Sequence, residues 1–228
     1  MKLIRDAIYD FRQNVVSATG DTSDETDYSD KQIYMRLIMS RSAIVKSMLD
    51  RGMKLSEEFY QVIPCIQLKE VDIVECPTAP ASGCMWLKSD CPIPDYLTIQ
   101  SVSSHLGKAY SYSRWDKLKI KMRGRLPSAP TESYYTLRTI DDKTWLYIYN
   151  NEFLESATIT IIPEDPIKAT EYCNKSICNP MDLDIHTSAP ILDMIIKNTW
   201  DTITKGKQLA QFKILNNDSP TDGVSKQK

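Results

Sequence analysis

Cysteine and histidine are the side chains here that could carry metal or nucleophilic chemistry, and the chain has six cysteines and two histidines. Cys76, Cys84 and Cys91 lie in one proline-rich segment, with seven and then six residues between them. This spacing lacks the close C-x₂₋₄-C pair of zinc sites, and Cys173 and Cys178 form only one further pair. We therefore expect reduced thiols and no metal site. Zinc binding, and disulfides formed after release from the cell, stay open as alternatives.

The histidines and paired carboxylates show no catalytic arrangement. His105 lies in a polar stretch, His186 precedes the last predicted helix, and the sequence identifies no partner for either. Acidic pairs at 141–142, 164–165 and 182/184 fall in turns or at strand ends, where Asp is favoured for backbone reasons. No nucleophile elbow, phosphate-binding glycine loop or H-E-x-x-H motif occurs. We predict that the protein is not an enzyme and binds no cofactor.

One charged segment, residues 117–125, has a regular pattern. Alternate residues of an extended chain point to opposite sides, so one face of the segment would carry five cations: Lys117, Lys119, Lys121, Arg123 and Arg125. Such a face fits the phosphate backbone of DNA or the acidic surface of a partner. The simpler alternative is a half-buried strand with a solvated lysine face.

Composition and charge exclude several classes of protein. The chain has 228 residues, of which 42% are hydrophobic and 25% charged, as in ordinary globular domains. No stretch approaches the ~18 apolar residues of a membrane-spanning helix. Charge appears already at Lys2, so we expect no signal peptide, synthesis in the cytoplasm and no membrane partner. A net charge of -2 argues against a protein that coats nucleic acid.

The N-terminal part, residues 1–56, is predicted to be helical. Apolar residues recur at three- and four-residue steps between 3 and 15, which indicates an amphipathic helix. Ser29 and Gln32 have the spacing of a capping box, so a second helix is predicted to begin there. Gly52, which tolerates a left-handed conformation, is predicted to end that helix.

The C-terminal part, residues 181–228, returns to helix. Ser188 is a potential cap, and Pro190 lies in the first turn, where its missing amide costs nothing. Beyond Ala210 we expect a loose polar tail. The apolar residues predicted to pack the helices, within one bundle or between subunits, are Ile33, Leu37, Ile44, Met48, Ile191, Ile195 and Trp200.

The middle part, residues 57–180, is predicted to be rich in strands. Strand-like runs occupy 62–66, 71–74 and 157–162, and the segments 134–140 and 145–149 form a hairpin around a turn at 141–143. Four prolines between 77 and 94 exclude long helices there. The predicted fold class is α+β. The N- and C-terminal helices pack together as one unit, and a mostly antiparallel β-sheet or barrel is inserted between them.

The amino-acid sequences of three segments resemble those of a known family. A helical pair contains Asp30–Ile38 and then Arg41–Lys46, a strand-rich insertion follows, and the chain closes with Met181–His186 and a helix. This layout resembles the head-to-tail connector proteins, also called adaptor or ring proteins, of short-tailed phages, and most closely those of crAss-like phages. The cysteine- and proline-rich segment 76–94 matches nothing in that family.

The resemblance implies a structural protein of the virion, located at the head–tail junction and made in the host cytoplasm. It implies a homo-oligomeric ring of twelve copies beneath the portal that lines or supports the channel for DNA packaging and ejection. The implied partners are the portal protein, adjacent tail or ring proteins, and the double-stranded DNA that passes through.

Two other classes of function remain open at this stage. A sequence-tolerant nucleic-acid-binding accessory protein would bind DNA as a monomer with salt-dependent affinity. An enzyme without a recognisable motif would depend on His105, His186 or a cysteine.

Overall fold

The computed structural model describes residues 2–19, 28–72, 75–76, 86–117, 133–149, 154–172 and 180–217. In the first and last helices, side chains are described up to Ser17 and Thr204. The principal helices are α1 (Ile4–Thr19), α2 (Asp30–Asp50), α3 (Pro166–Glu171) and α4 (Ala189–Asn217). The strands are β1 (Gln61–Glu70), β2 (Trp86–Ser89), β3 (Tyr96–Ser104), β4 (Ser111–Tyr112), β5 (Tyr134–Ile140), β6 (Lys143–Tyr149) and β7 (Ser156–Pro163).

Helix α2 begins and ends as its sequence predicts. The Ser29 Oγ accepts from the amide of Gln32 at 3.4 Å, and the Ser29 amide donates to Gln32 Oε1 at 2.9 Å, which completes the capping box. At the other end, the amide of Gly52 donates to Leu49 and that of Met53 to Met48, with φ of +68° at Gly52. This is the Schellman arrangement, in which glycine avoids the steric cost of the left-handed conformation.

The seven strands form one sheet in the order β3-β7-β1-β2-β6-β5-β4, which curves into a nearly closed barrel. Its described strand pairs are antiparallel except β4–β5. Strand β1 is shared, because its residues 61–67 pair with β7 and its residues 68–70 pair with β2. The register shifts between Ile63 and Ile66, where Pro64 lacks an amide to donate.

The predicted hairpin is the β5–β6 pair. Strand β5 ends at Ile140, β6 begins at Lys143, and the two turn residues Asp141 and Asp142 have φ of 49° and 59°. Positive φ at both positions is the type I′ geometry, which matches the twist of the adjoining strands. This acidic pair therefore has a backbone role.

Hydrophobic residues form two main cores. One lies among the helices and contains Phe11 of α1, Leu37 of α2 and Ile195 of α4, all buried. The other fills the barrel and contains Ile66, Leu146 and Ile159. A smaller cluster of Val45, Phe59 and Ile162 joins α2 to β7. The α+β fold class predicted from the sequence is confirmed; the division at 56 and 180 stays a prediction.

Two boundaries differ from those predicted. Strand β1 ends at Glu70, and residues 71–72 of the strand predicted at 71–74 are not part of a strand, although the amide of the buried Val71 still donates to the carbonyl of Trp86 at 3.1 Å; residues 73–74 lie outside the described part. Helix α4 continues to Asn217 instead of ending near Ala210. Residues 210–217 contain no proline or glycine and several good helix formers.

Candidate assembly interface

The predicted basic face lies almost entirely outside the described residues. Lys117 is exposed at the end of a short helical turn, 115–117, and the cations Lys119, Lys121, Arg123 and Arg125 fall in the undescribed range. The start of the segment is anchored by Trp115, whose ring meets that of Tyr147 edge-on at 5.1 Å and lies 4.9 Å beneath the Arg138 guanidinium. The DNA-facing or partner-facing role of this segment stays a prediction.

Six of the seven residues predicted to pack the helices meet in the helical core of a single subunit. Ile33, Leu37 and Ile195 are buried in it, Ile44, Ile191 and Trp200 pack at its edge, and Met48 is half-buried on α2. These contacts are within one chain. A role between subunits stays a prediction for all seven.

A buried arginine joins the helices to the sheet. Arg41 of α2 is fully buried, and its Nη1 donates to the carbonyl of Pro163 at 2.8 Å. Its Nε and Nη2 both donate to the carbonyl of His186, at 3.2 and 3.1 Å. One guanidinium therefore connects α2, the end of β7 and the segment that leads into α4. Arg41 is not among the candidate residues that the sequence predicts. The available signal was its place four residues after Leu37 and four before Val45, on the buried face.

Neighbouring side chains partly offset the cost of burying the charge of Arg41. Burial lowers the pKa of its guanidinium to about 10, while Tyr34, Asp165 and Asp184 favour the charged form. The Tyr34 hydroxyl donates to Asp165 Oδ1 at 2.7 Å, and the same oxygen accepts from the amide of Ile167 at 3.0 Å to cap α3. Burial, together with this bond, raises the pKa of Tyr34, so the phenol stays protonated.

His186 contributes to the structure through its backbone. Its backbone φ is +50°, and its amide donates to Asp184 Oδ1 at 2.8 Å. Burial lowers the pKa of its imidazole, and the nearby Arg41 cation acts in the same direction, whereas Asp184 and a bond to the Glu58 backbone oppose the shift. His105, in contrast, is exposed in the turn after β3.

The expectation that all cysteines are reduced thiols is wrong for Cys65 and for Cys76, each of which takes part in a disulfide bond. Cys91 is a free, exposed thiol, and Cys84, Cys173 and Cys178 lie outside the described residues. Disulfides persist in the oxidising conditions that a protein meets outside a cell. Among the described residues, no cluster of three or more His, Cys, Asp or Glu side chains could hold a metal ion.

The outer face of α2 carries a methionine ridge, formed by Met35 and Met39. Their side chains are 51% and 69% exposed, and their four-residue spacing puts them on one side of the helix. A groove of about 530 Å³ separates the ridge from α4 and is lined also by Lys31, Arg36 and Thr199. A second groove of about 390 Å³ lies toward the end of β7 and the start of α3. The ridge is therefore an apolar surface between two depressions.

Comparison with known proteins decides the family. The family model for phage tail ring protein 2 of crAss-like phages matches residues 11–208, from α1 into α4. The chain belongs to this ring protein family. The match includes both the helices and the barrel of the ring protein, and confirms the resemblance drawn from its sequence. No curated protein sequence matches it significantly. The ring protein is a structural component of the virion, and none of its described helices is long and apolar enough to cross a membrane.

Proposed function

We propose that this ring protein is a subunit of the head-to-tail connector, located below the portal. Twelve copies form a closed ring around the axis of the particle and line or support the channel through which double-stranded DNA is packaged and ejected. The portal protein and adjacent tail or ring proteins are its other contacts. The observation that carries this proposal is the family match over residues 11–208.

The surface of the subunit is consistent with a role in assembly. The apolar ridge on α2 is exposed in the single chain, and exposed apolar surface next to grooves is typical of protein contacts. Several of the paired carboxylates, and His186, have structural places. Asp141 and Asp142 form a turn, Asp165 caps α3, and the carbonyl of His186 binds Arg41.

The basic face from Lys117 to Arg125 is proposed to point to the DNA channel or to an acidic neighbouring ring. Reversal of Lys119, Lys121 and Arg123 to glutamate is then expected to impair assembly or retention of packaged DNA. The control is the same change in charge at three exposed cations elsewhere, Arg51, Lys54 and Lys143. Infectious particles formed in normal yield by the first variant would count against this role.

The mass of the purified chain, and of the assembly recovered from particles, tests the proposal as a whole. A closed ring supports the connector function. A stable monomer that binds DNA with a steep dependence on salt concentration supports the accessory-protein alternative instead.

A further inference from the structure

Residues 184–187, which we call the junction segment, lie where the helices meet the sheet. The amide of Ile185 donates to the carbonyl of Lys2 at 3.2 Å and so attaches the segment to the start of α1. The carbonyl of His186 accepts two bonds from Arg41 of α2. Release of the junction segment would therefore loosen its connections to α1 and α2 at the same time.

The junction segment contains buried polar atoms that lack hydrogen bonds. Among the described residues, Asp184 Oδ2, His186 Nδ1 and Thr187 Oγ1 are buried and have no partner. His186 also has a φ of +50°, a left-handed conformation that is uncommon for a residue with a Cβ. A segment that is strained and incompletely bonded opens locally at a low cost. We therefore expect the junction segment to open more easily than the strands of the barrel.

The imidazole of His186 is the side chain of this segment whose charge can change near neutral pH. Its ring donates to the backbone of Glu58, in the short helix Glu57–Phe59 that leads into β1. Because Nδ1 has no partner, this bond uses Nε2, and the imidazole is neutral. A second proton would go to Nδ1, which is buried without an acceptor among the described residues.

The surroundings of this imidazole disfavour a second proton. Burial disfavours the charged ring, and so does Arg41 of α2, whereas the Asp184 carboxylate favours it. Asp184 already accepts from the amide of His186 through Oδ1, at 2.8 Å. Tyr34 and Asp165 act on Arg41 and are bonded to each other. The net result is a pKa of His186 below its ordinary value of 6.5.

We propose that the junction segment is an acid-sensitive latch, in which a proton on Nδ1 of His186 releases the segment from α1 and α2 while the barrel stays folded. In the closed segment the added proton has no acceptor, and local opening brings the charged ring into water. Opening and proton uptake are therefore linked. This inference concerns the subunit itself and does not depend on the position of its ring in the connector.

Native-state amide hydrogen exchange of the full-length chain tests the latch. Local opening exposes little surface, so the protection of the Ile185 amide should be lower than that of the β5–β6 amides and should hardly change in dilute urea. From pH 6.5 to 5.5, after correction for the intrinsic exchange rate, it should fall by up to about tenfold, the limit for one proton taken up per opening. An Ile185 amide that exchanges only together with the barrel, or whose protection is independent of pH, overturns the inference.

Two variants identify the group that takes up the proton. H186N cannot be protonated and keeps a residue that tolerates positive φ, so the pH dependence of Ile185 protection should disappear. D184N keeps an acceptor for the His186 amide but has no carboxylate to titrate, so the dependence should persist. H105N, which changes an exposed histidine, is the control and should behave like the wild type. Persistence of the dependence in H186N, or its loss in D184N, overturns the inference.

A titration of the wild type keeps the inference testable if the variants fold poorly. The chain has two histidines, so NMR can follow both imidazoles, and H105N identifies the signal of His186. The midpoint of that signal should lie below pH 6.5, and the fall in Ile185 protection should occur between 6.5 and the midpoint. A midpoint at or above 6.5 overturns the latch.

Discussion

The Arg41 guanidinium donates two hydrogen bonds to one backbone carbonyl, that of His186, 145 residues further along the chain. With its third bond, to Pro163, it is a buried cation whose described partners are carbonyl oxygens. A carbonyl oxygen left without a partner in such a place costs about 1–3 kcal/mol.

Replacement of Arg41 by leucine is therefore expected to lower the free energy of unfolding by about 3 kcal/mol, because two buried carbonyls lose their donors. R41K should also be destabilising, since an ammonium lacks the planar fork that reaches both carbonyls. Urea unfolding measures the effect. R51L, at an exposed position on the end of the same helix, is the control and should change stability by less than about 0.5 kcal/mol. Equal stability of R41L and R51L would contradict this role.

Tyr34 and Asp165 provide a second test of the connection between the helices and the barrel. Y34F removes one hydrogen bond of 2.7 Å and should cost about 1 kcal/mol. D165A should cost more, because it also removes the cap of α3. In a double-mutant cycle, the two changes should be less than additive if the bond exists in solution. Strict additivity would show that the two side chains do not interact.

Stability should fall in mildly acidic solution because of His186. Its folded pKa lies below the ordinary value of 6.5, so between these two values the unfolded chain binds more protons than the folded one. The free energy of unfolding is thus expected to decrease as pH is lowered from 6.5 toward the folded pKa. H186N removes the ionisable group and keeps a residue that tolerates positive φ, so it should flatten this dependence. H105N is the control, and an unchanged slope in H186N would exclude this source.

A substitution in the turn between β5 and β6 is expected to make the protein more stable. Asp142 has φ of +59°, a conformation that costs a residue with a Cβ about 1 kcal/mol and costs glycine little. D142G is expected to raise the free energy of unfolding by about 0.5–1 kcal/mol, and D142V to lower it. Thermal or urea unfolding measures both. A destabilising D142G would mean that the turn differs from type I′ in solution.

The sequence predicted those parts of the fold that depend on local chemistry. The capping box at Ser29, the glycine stop at Gly52 and the β5–β6 turn are each determined by residues within a few positions of one another. The resemblance to the family was also visible in the sequence, in α2 and in the segment that precedes α4. Such short-range patterns can be recognised without knowledge of the packing.

Long-range relationships could not be read in this way. Arg41 bonds to Pro163, which is 122 positions further along the chain, and to His186, which is 145 positions further along. No local sequence rule pairs residues so far apart. The pairing of β1 with both β7 and β2 could not be predicted for the same reason, because these strands are far apart in the sequence. The methionine ridge was visible only after the opposite face of α2 was placed in the core, because Met35 and Met39 otherwise belong to one generally apolar helix.

The placement of β1 between β2 and β7 has a consequence for how the protein is made. Gln61 pairs with Ile161, so a chain that leaves the ribosome cannot complete its barrel until residue 163 has emerged, and Arg41 waits longer still for His186. Nearly the whole polypeptide must be synthesised before the subunit acquires its final shape. A partly synthesised chain therefore lacks both the β1–β7 pairing and the Arg41 bonds that join the helices to the sheet.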